Sequence, residues 1–259
     1  MEVARLLINI AKHRAPMGTV GGLHAQIREV DKLGVDDKGD MYALFAQYYD
    51  STSEEAFLAD LSDKDHVFLL SDRSGQLQGF STLAVLTHEH QGVARRAIFS
   101  GDTVIHHEHW GEQALAFAWI RFAGRIKAQQ PQTPLDWFLI VKGHRTYRYL
   151  PVFSRRYYPA WSHPTPPETK AWMDLLACMR FGEHYDPASG VLRFPNSRGQ
   201  LRDHWAVVPE EDRRRPEVSF FLERNPGYTH GHELVCLTEL HEDNLKPLAR
   251  RLFLQGMNT

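Results

Sequence analysis

The run Thr103-Val-Ile-His-His-Glu-His-Trp-Gly-Glu-Gln-Ala-Leu115 carries, in succession, the end of an apolar strand, a short loop with a single glycine, and the start of a helix. Unpaired backbone N–H groups at such a helix start form an anion site that needs no side-chain charge. Downstream, residues 111–129 place Ala114, Leu115, Ala118, Trp119, Phe122 and Ile126 at the 3.6-residue period, which predicts a long, mostly buried helix. Pro131 and Pro134 end it, and Leu135-Asp-Trp-Phe-Leu-Ile-Val141 reads as a nearly continuous buried strand. Upstream, His66 to Ser71, Gln76 to Leu86 and Ala94 to Ile105 are separated by turn residues at Asp72-Arg-Ser-Gly75 and Gln91-Gly92, the pattern of an antiparallel meander. Residues 40–50 and 56–61 have helical spacing, with Ser51 to Glu55 offering a helix N-terminus between them. The predicted order is α-α-β-β-β-α-β, with the last two strands parallel across a helical crossover.

The chain has 259 residues, 42% apolar and 24% charged, enough to bury a full core, so disorder, collagen and coiled coil are excluded. Thirty Lys plus Arg against thirty-two Asp plus Glu argue against a generally basic nucleic-acid binder. Cys178 and Cys236 lie in apolar stretches and read as reduced core residues. No apolar run reaches the roughly 20 residues of a membrane span, and no secretory leader is recognisable, so a cytoplasmic protein is expected.

Three regions follow from these signals. Residues 1–22 read as a weakly amphipathic helical arm, closed by Pro16, Gly18, Gly21 and Gly22. Residues 23–158 form the α+β body, a mixed but mostly antiparallel sheet flanked by helices. Residues 159–259 form a C-terminal α/β extension or second lobe, opened by Pro159, Pro164, Pro166 and Pro167. In that extension the sequence predicts a helix over 168–181, strands over 218–223 and 233–237, and a closing helix over 242–254.

The order of elements over residues 24–158 and the segment after Ile105 resemble the GNAT superfamily of N-acetyltransferases. In that family a strand end is followed by Arg/Gln-x-x-Gly-x-Gly/Ala, whose amides hold the pyrophosphate of acyl-CoA. Here Ile105-His106-His107-Glu108 corresponds to the strand end and Glu108-His-Trp-Gly111-Glu-Gln113 to the loop. Gly111 is kept, while Glu108 and Gln113 stand where Arg or Gln and a small residue are expected. The chain thus looks like a divergent member with an appended C-terminal region.

The resemblance implies an acyltransferase that moves an acyl group from a thioester to an amine by direct attack, with no tightly bound cofactor and no covalent enzyme intermediate. A small amine would be the acceptor, and neither nucleic acid nor a membrane span is expected. Two strands, ending near Ile105 and Val141, would lie side by side and diverge to admit a pantetheine arm. Thr103, Val104, Ile105, Trp110, Gly111, Glu112 and Gln113 would then bind the donor. The family's strand carboxylate has no counterpart in Arg96 to Ser100, which leaves Asp102 as the nearest proton acceptor, with His106 or His107 as further candidates. Tyr147 or Tyr149 occupies the region of the family's acid. The alternative is a catalytically inactive module of the same fold that binds an acyl thioester or a protein partner.

From Trp137 to Pro167 there is no acidic residue, while Lys142, Arg145, Arg148, Arg155 and Arg156 are interleaved with aromatics. Arg145 and Arg148 would share a helix face and meet a phosphate or the acidic helix of an acyl carrier protein, so the donor is an acyl-CoA or an acyl-phosphopantetheine on such a carrier. Pairing of these arginines with carboxylates of the C-terminal region is the other outcome. Among fifteen histidines, His88 and His90 share a strand face and are read as lying at a strand end neighbouring His106 and Glu108. Solvated loop histidines are the plainer reading there, and no metal is expected.

Overall fold

A computed structural model describes residues 22–195 and 199–259. The helical arm expected over 1–22 lies, but for Gly22, outside the described residues. The elements follow in the order β1 (His24–Glu29), α1 (Val35–Tyr48), β2 (Tyr49–Asp50), α2 (Glu54–Ser62), β3 (His66–Ser71), β4 (Leu77–His90), β5 (Val93–Ile105), α3 (Ala114–Gln129) and β6 (Leu135–Val141). Two short helices come next, α4 (His144–Tyr147) and α5 (Tyr149–Phe153), and then α6 (Pro167–Phe181), β7 (Tyr185–Asp186), β8 (Val191–Leu192) and β9 (Gln200–Leu201). The chain closes with α7 (Asp203–Ala206), α8 (Glu210–Arg213), α9 (Pro216–Arg224), β10 (Glu233–Glu239) and α10 (Pro247–Met257).

Eight strands form one sheet in the order β1-β3-β4-β5-β6-β10-β8-β7, and β2 pairs with β9 in a separate ribbon. Every pairing in the large sheet is antiparallel except β5 with β6. The β4–β5 hairpin turns at Gln91 and Gly92, both with positive φ (53° and 77°), the twist that two-residue hairpin loops require. The parallel pair needs a long connection, and α3 supplies it. β10 lies against β6 over Asp136↔Glu239 to Val141↔Leu234, so the C-terminal region extends the same sheet.

Alternation along the strands divides the core. On one face, Ile98, Leu139 and Val141 pack under α3 and α10 with Trp119, Ile120 and Phe253. On the other, Phe99 and Phe138 pack under α6 with Trp172 and Leu176, and Phe80 and Val104 under α1 and α2 with Met41, Phe45 and Phe57.

Three expectations fail. Cys178, read as a core residue, is exposed on α6, while Cys236 is buried. Residues 218–223 are helical, not a strand, because Pro216 starts α9 at a position that tolerates a missing N–H, and the buried Val218 and Phe221 stand three apart. His24–Glu29, absent from the expected order, forms the sheet edge: only Ala25 and Ile27 alternate with polar positions, too short an apolar pattern to stand out.

Candidate active site

The sheet opens where β5 and β6 part. Their ladder runs from Arg96↔Leu135 to Ser100↔Leu139 and stops. Beyond it β5 continues to Ile105 against β4, while Ile140 and Val141 stay paired with β10. At the parting point β5 bulges, with Gly101 and Asp102 set against Thr82 alone. A Cβ at 101 would come within 2.5 Å of Thr82 Oγ1 and 2.6 Å of Lys64 Cε, so a side chain there would displace Thr82 or Lys64.

A cleft of about 540 Å³ occupies the opening and is walled from both faces of the sheet. On the α3 face it meets Leu115, Ala116, Trp119, Trp137 and Phe153. The Trp119 and Trp137 rings lie 4.3 Å apart, and Trp137 Nε1 donates to Ser100 Oγ at 2.8 Å. On the opposite face it meets Phe45, Tyr49, Phe57, Phe99, Phe181 and Phe194, together with Asp60, Asp102, Lys142 and Glu233.

These last four groups come from α2, β5, the end of β6 and the start of β10. Lys142 Nζ stands 3.6 Å from Glu233 Oε1 and 5.3 Å from the Tyr49 ring centre, and Asp60 pairs with Lys64 at 2.6 Å. Burial pushes Asp102 up to about 6 and Glu233 up to about 7, in both cases against the pull of Lys142. Burial disfavours the Lys142 ammonium, yet Glu233, Asp102, Tyr49 and Asp60 outweigh it and its pKa is raised. Two carboxyls poised near neutrality beside one lasting cation can take a proton from a bound ammonium and release it again.

The donor-side residues expected from the sequence divide. Thr103, Val104, Ile105, Trp110 and Gly111 line the cleft, with Thr103 Oγ1 2.8 Å from Ser81 Oγ and Trp110 Nε1 donating to the Ile105 carbonyl at 2.9 Å. Gly111 has φ 96°, which lets the loop turn into α3. Glu112 and Gln113 are not in the lining. Glu112 instead accepts from Leu23 N at 2.8 Å and lies 2.9 Å from His109 Nδ1, and Gln113 caps α3, its carbonyl accepting from Phe117 N. The first turn of α3 holds no acidic residue and no side-chain cap.

Arg145 lies over Trp110 at 4.5 Å and donates to the Trp205 carbonyl at 3.2 Å, at the cleft wall. Arg148 turns away into the protein, 3.4 Å from Asp212 and 3.9 Å from Glu217. With Lys142 held by Glu233, two of the five cations of the basic segment are answered by carboxylates of the C-terminal region, while Arg155 and Arg156 are exposed. Tyr149 lines the cleft and burial raises its pKa; Tyr147 lies outside the lining, fully buried, its hydroxyl donating to the Pro159 carbonyl at 2.7 Å.

His106 follows β5 outside the lining, its ring 4.4 Å from His107, and burial lowers its pKa. The juxtaposition of His88 and His90 with His106 does not form. The β4–β5 register sets His88 against Arg95 and Gly79 against Ile105, which puts the two groups at opposite ends of one hairpin. Among the described residues no three His, Cys, Asp or Glu side chains are placed to hold a metal. No helix among the described residues is long and apolar enough to cross a membrane.

Sequence reasoning missed Glu233 and noted Lys142 only as part of the basic run. Each is a charge abutting an all-apolar stretch, Leu135–Val141 before Lys142 (but for Asp136) and Leu234-Val-Cys-Leu237 after Glu233, and that placement was the available signal.

No family model matches this chain, and no curated protein matches it. Solved structures similar to it include a conserved Enterococcus faecalis protein of unknown function given as a probable N-acyltransferase, at 16% identity and TM-score 0.39 over 51% of this chain and 33% of that one. A GNAT family N-acetyltransferase from Escherichia coli in complex with CoA is 16% identical with TM-score 0.34, covering 53% of this chain and 71% of that one. Saccharomyces cerevisiae N-myristoyltransferase with bound myristoyl-CoA is 12% identical with TM-score 0.35, covering 52% and 33%. The matched part therefore spans about half of this chain and a third of the first and last of these proteins.

Proposed function

We propose that this chain is an N-acyltransferase that moves an acyl group from a thioester to an amine. The observation that carries the reading is the cleft at the parting of β5 and β6, open to both faces of the sheet with Asp102 and Glu233 on one of them. The donor enters along Gly101 to Ile105, whose β6-facing edge has no ladder partner beyond Ser100, so an extended pantetheine arm can hydrogen-bond it like an added strand. Its phosphates meet the uncapped start of α3 and the Arg145 guanidinium. The acyl chain extends over Leu115, Trp119 and Trp137.

From the opposite face the amine nitrogen attacks the thioester carbonyl carbon. A C–N bond forms, the C–S bond breaks, and the ammonium proton passes to the carboxylate of Asp102 or Glu233, both tuned close to the working pH. The thiolate leaves and takes a proton, with the Tyr149 hydroxyl as the donor lining the cleft. Acyl-CoA and acyl-phosphopantetheine on a carrier protein share the arm that this edge recognises.

The test is to mix the protein with acetyl, octanoyl and palmitoyl thioesters of CoA and of carrier protein, add a panel of amines, and measure free thiol and thermal shift. Amine-dependent thiol release is expected. Stabilisation without release under every amine would identify a module that binds thioesters and does not transfer them.

A further inference from the structure

The cleft continues past the point where a thioester has to end. Its lining beneath α3 reaches Trp119 and Trp137, and Trp137 stands opposite Ile98, two residues back along the closed part of the β5–β6 ladder from Ser100 and Leu139. At about 3.3 Å per residue this is a depth of roughly 6–7 Å behind the parting point, which a pantetheine arm lying along Gly101 to Ile105 does not enter. Leu115, Ala116, Trp119, Trp137 and Phe153 wall it, and none of them carries a charge. The Trp119 and Trp137 rings lie 4.3 Å apart and Phe153 lies 6.0 Å from Trp137, while Ile98 and Ile120 behind them are fully buried and outside the lining, so the far end is closed. Trp119 Nε1 has no acceptor among the described residues and Ser100 Oγ already accepts from Trp137 Nε1, so these walls offer water few partners. An acetyl group ends at the thioester and would leave this chamber empty, with the contacts of its walls forfeited. The opposite face offers no such lining: Asp60, Asp102, Lys142 and Glu233 stand there, and an alkyl chain laid over them would strip water from charged groups.

Resting on the acyl-transfer reading, we infer that the donor carries a linear alkyl chain of about six to eight carbons, seated beneath α3 with its end against Trp119 and Trp137, and that acetyl is not the group transferred. Single C–C bonds of about 1.5 Å at about 111° advance a straight chain by roughly 1.25 Å per carbon, so about five or six carbons beyond the carbonyl fill the depth. Each methylene buried there tightens binding about fourfold before the ordering of the chain is counted against it.

The experiment is calorimetric titration of the full chain, without amine, with acetyl-, octanoyl- and palmitoyl-CoA, joined to tryptophan fluorescence under 8-bromooctanoyl-CoA, whose terminal bromine quenches an indole that it touches. Octanoyl-CoA should bind at least about tenfold more tightly than acetyl-CoA, and more tightly than palmitoyl-CoA, whose chain outruns the chamber. The brominated chain should quench emission beyond what octanoyl-CoA does, and Trp119→Phe should diminish that quenching. Ala116→Leu, which fills the chamber from α3, should bring the octanoyl advantage over acetyl down to about threefold or less, in a protein whose circular dichroism matches the parent. If a variant does not fold, the parent's order of affinities and its quenching decide alone. An octanoyl advantage below tenfold, palmitoyl-CoA binding as tightly, a bromine that quenches no tryptophan, or an advantage that survives Ala116→Leu overturns the inference. Octanoyl-CoA binding with quenching but without thiol release under any amine would sink the transferase reading and leave this one standing, whereas thiol release faster from acetyl-CoA than from octanoyl-CoA would do the reverse.

Discussion

Replacing Glu233 by glutamine should turn a pH-dependent cost into a pH-independent one. Glu233 is 4% exposed, and burial lifts its carboxyl to about 7 from 4.5, with Lys142 pulling the other way. A carboxyl with a raised pKa keeps its proton in the folded chain where the unfolded chain has already lost it. Its contribution is therefore harmless below the unfolded value, grows more destabilising as pH rises from 4.5 to about 7, and is fully unfavourable above that. The gap between the two values, at about 1.36 kcal/mol per pH unit, amounts to about 3 kcal/mol. Glutamine keeps the shape and cannot ionise, while Lys142 retains Asp102 as a counter-charge. The stability of Glu233→Gln relative to the parent should therefore improve by about 3 kcal/mol between about pH 4.5 and pH 8, or roughly 6–12 °C in Tm for a chain of this size. Scanning calorimetry of both proteins at the two pH values measures it. A difference that stays constant with pH, or moves against the variant, would refute a buried, under-compensated carboxylate at this position.

Asp102→Asn should lower kcat by about 10²–10⁴, and with it the rise in rate through pH 6–7 should be altered, which a pH–rate profile under amine saturation checks. Arg145→Ala should raise KM for acyl-CoA roughly tenfold or more, as expected for a lost charge-assisted contact, yet leave acyl-pantetheine, which has no phosphate, unaffected. Leu115→Trp fills the α3 side of the cleft and should cut octanoyl transfer more than about tenfold while acetyl transfer stays within a few-fold, read as competing donors in one assay. Gly256→Ala tests the packing of α10 on α3: its Cβ would come within 1.8 Å of the Arg121 carbonyl oxygen, and overpacking of this kind costs about 1–3 kcal/mol, seen as a lower Tm with the kinetics unchanged.

Arg145 and Arg148 show where sequence stops. Three positions apart and of one type, they read alike, yet Arg145 ends on Trp110 at the cleft and Arg148 is buried against Asp212 and Glu217. Their partners sit far along the chain, so only the folded arrangement distinguishes them. The same holds for Glu233 and Lys142, whose pairing requires β10 to lie beside β6. The histidines fail for a related reason: their separation is set by hairpin register, not by proximity in sequence.

Local patterns did determine a great deal. The α3 stripe and the apolar run of β6 follow from hydrophobic period and continuity, and the Gln91-Gly92 hairpin from residues that accept positive φ, so local signals are enough to specify these elements. Together they predict a mixed sheet with β5 and β6 parallel across α3. Period also misled where a short element gave too few repeats, as in α9, or where an edge strand needed little burial, as in β1. The tertiary structure alone decided that β5 and β6 separate after Ser100 and Leu139, and which charges meet in the gap. Burial and Coulomb energy depend on distances between residues remote in the chain, and no local pattern encodes those distances.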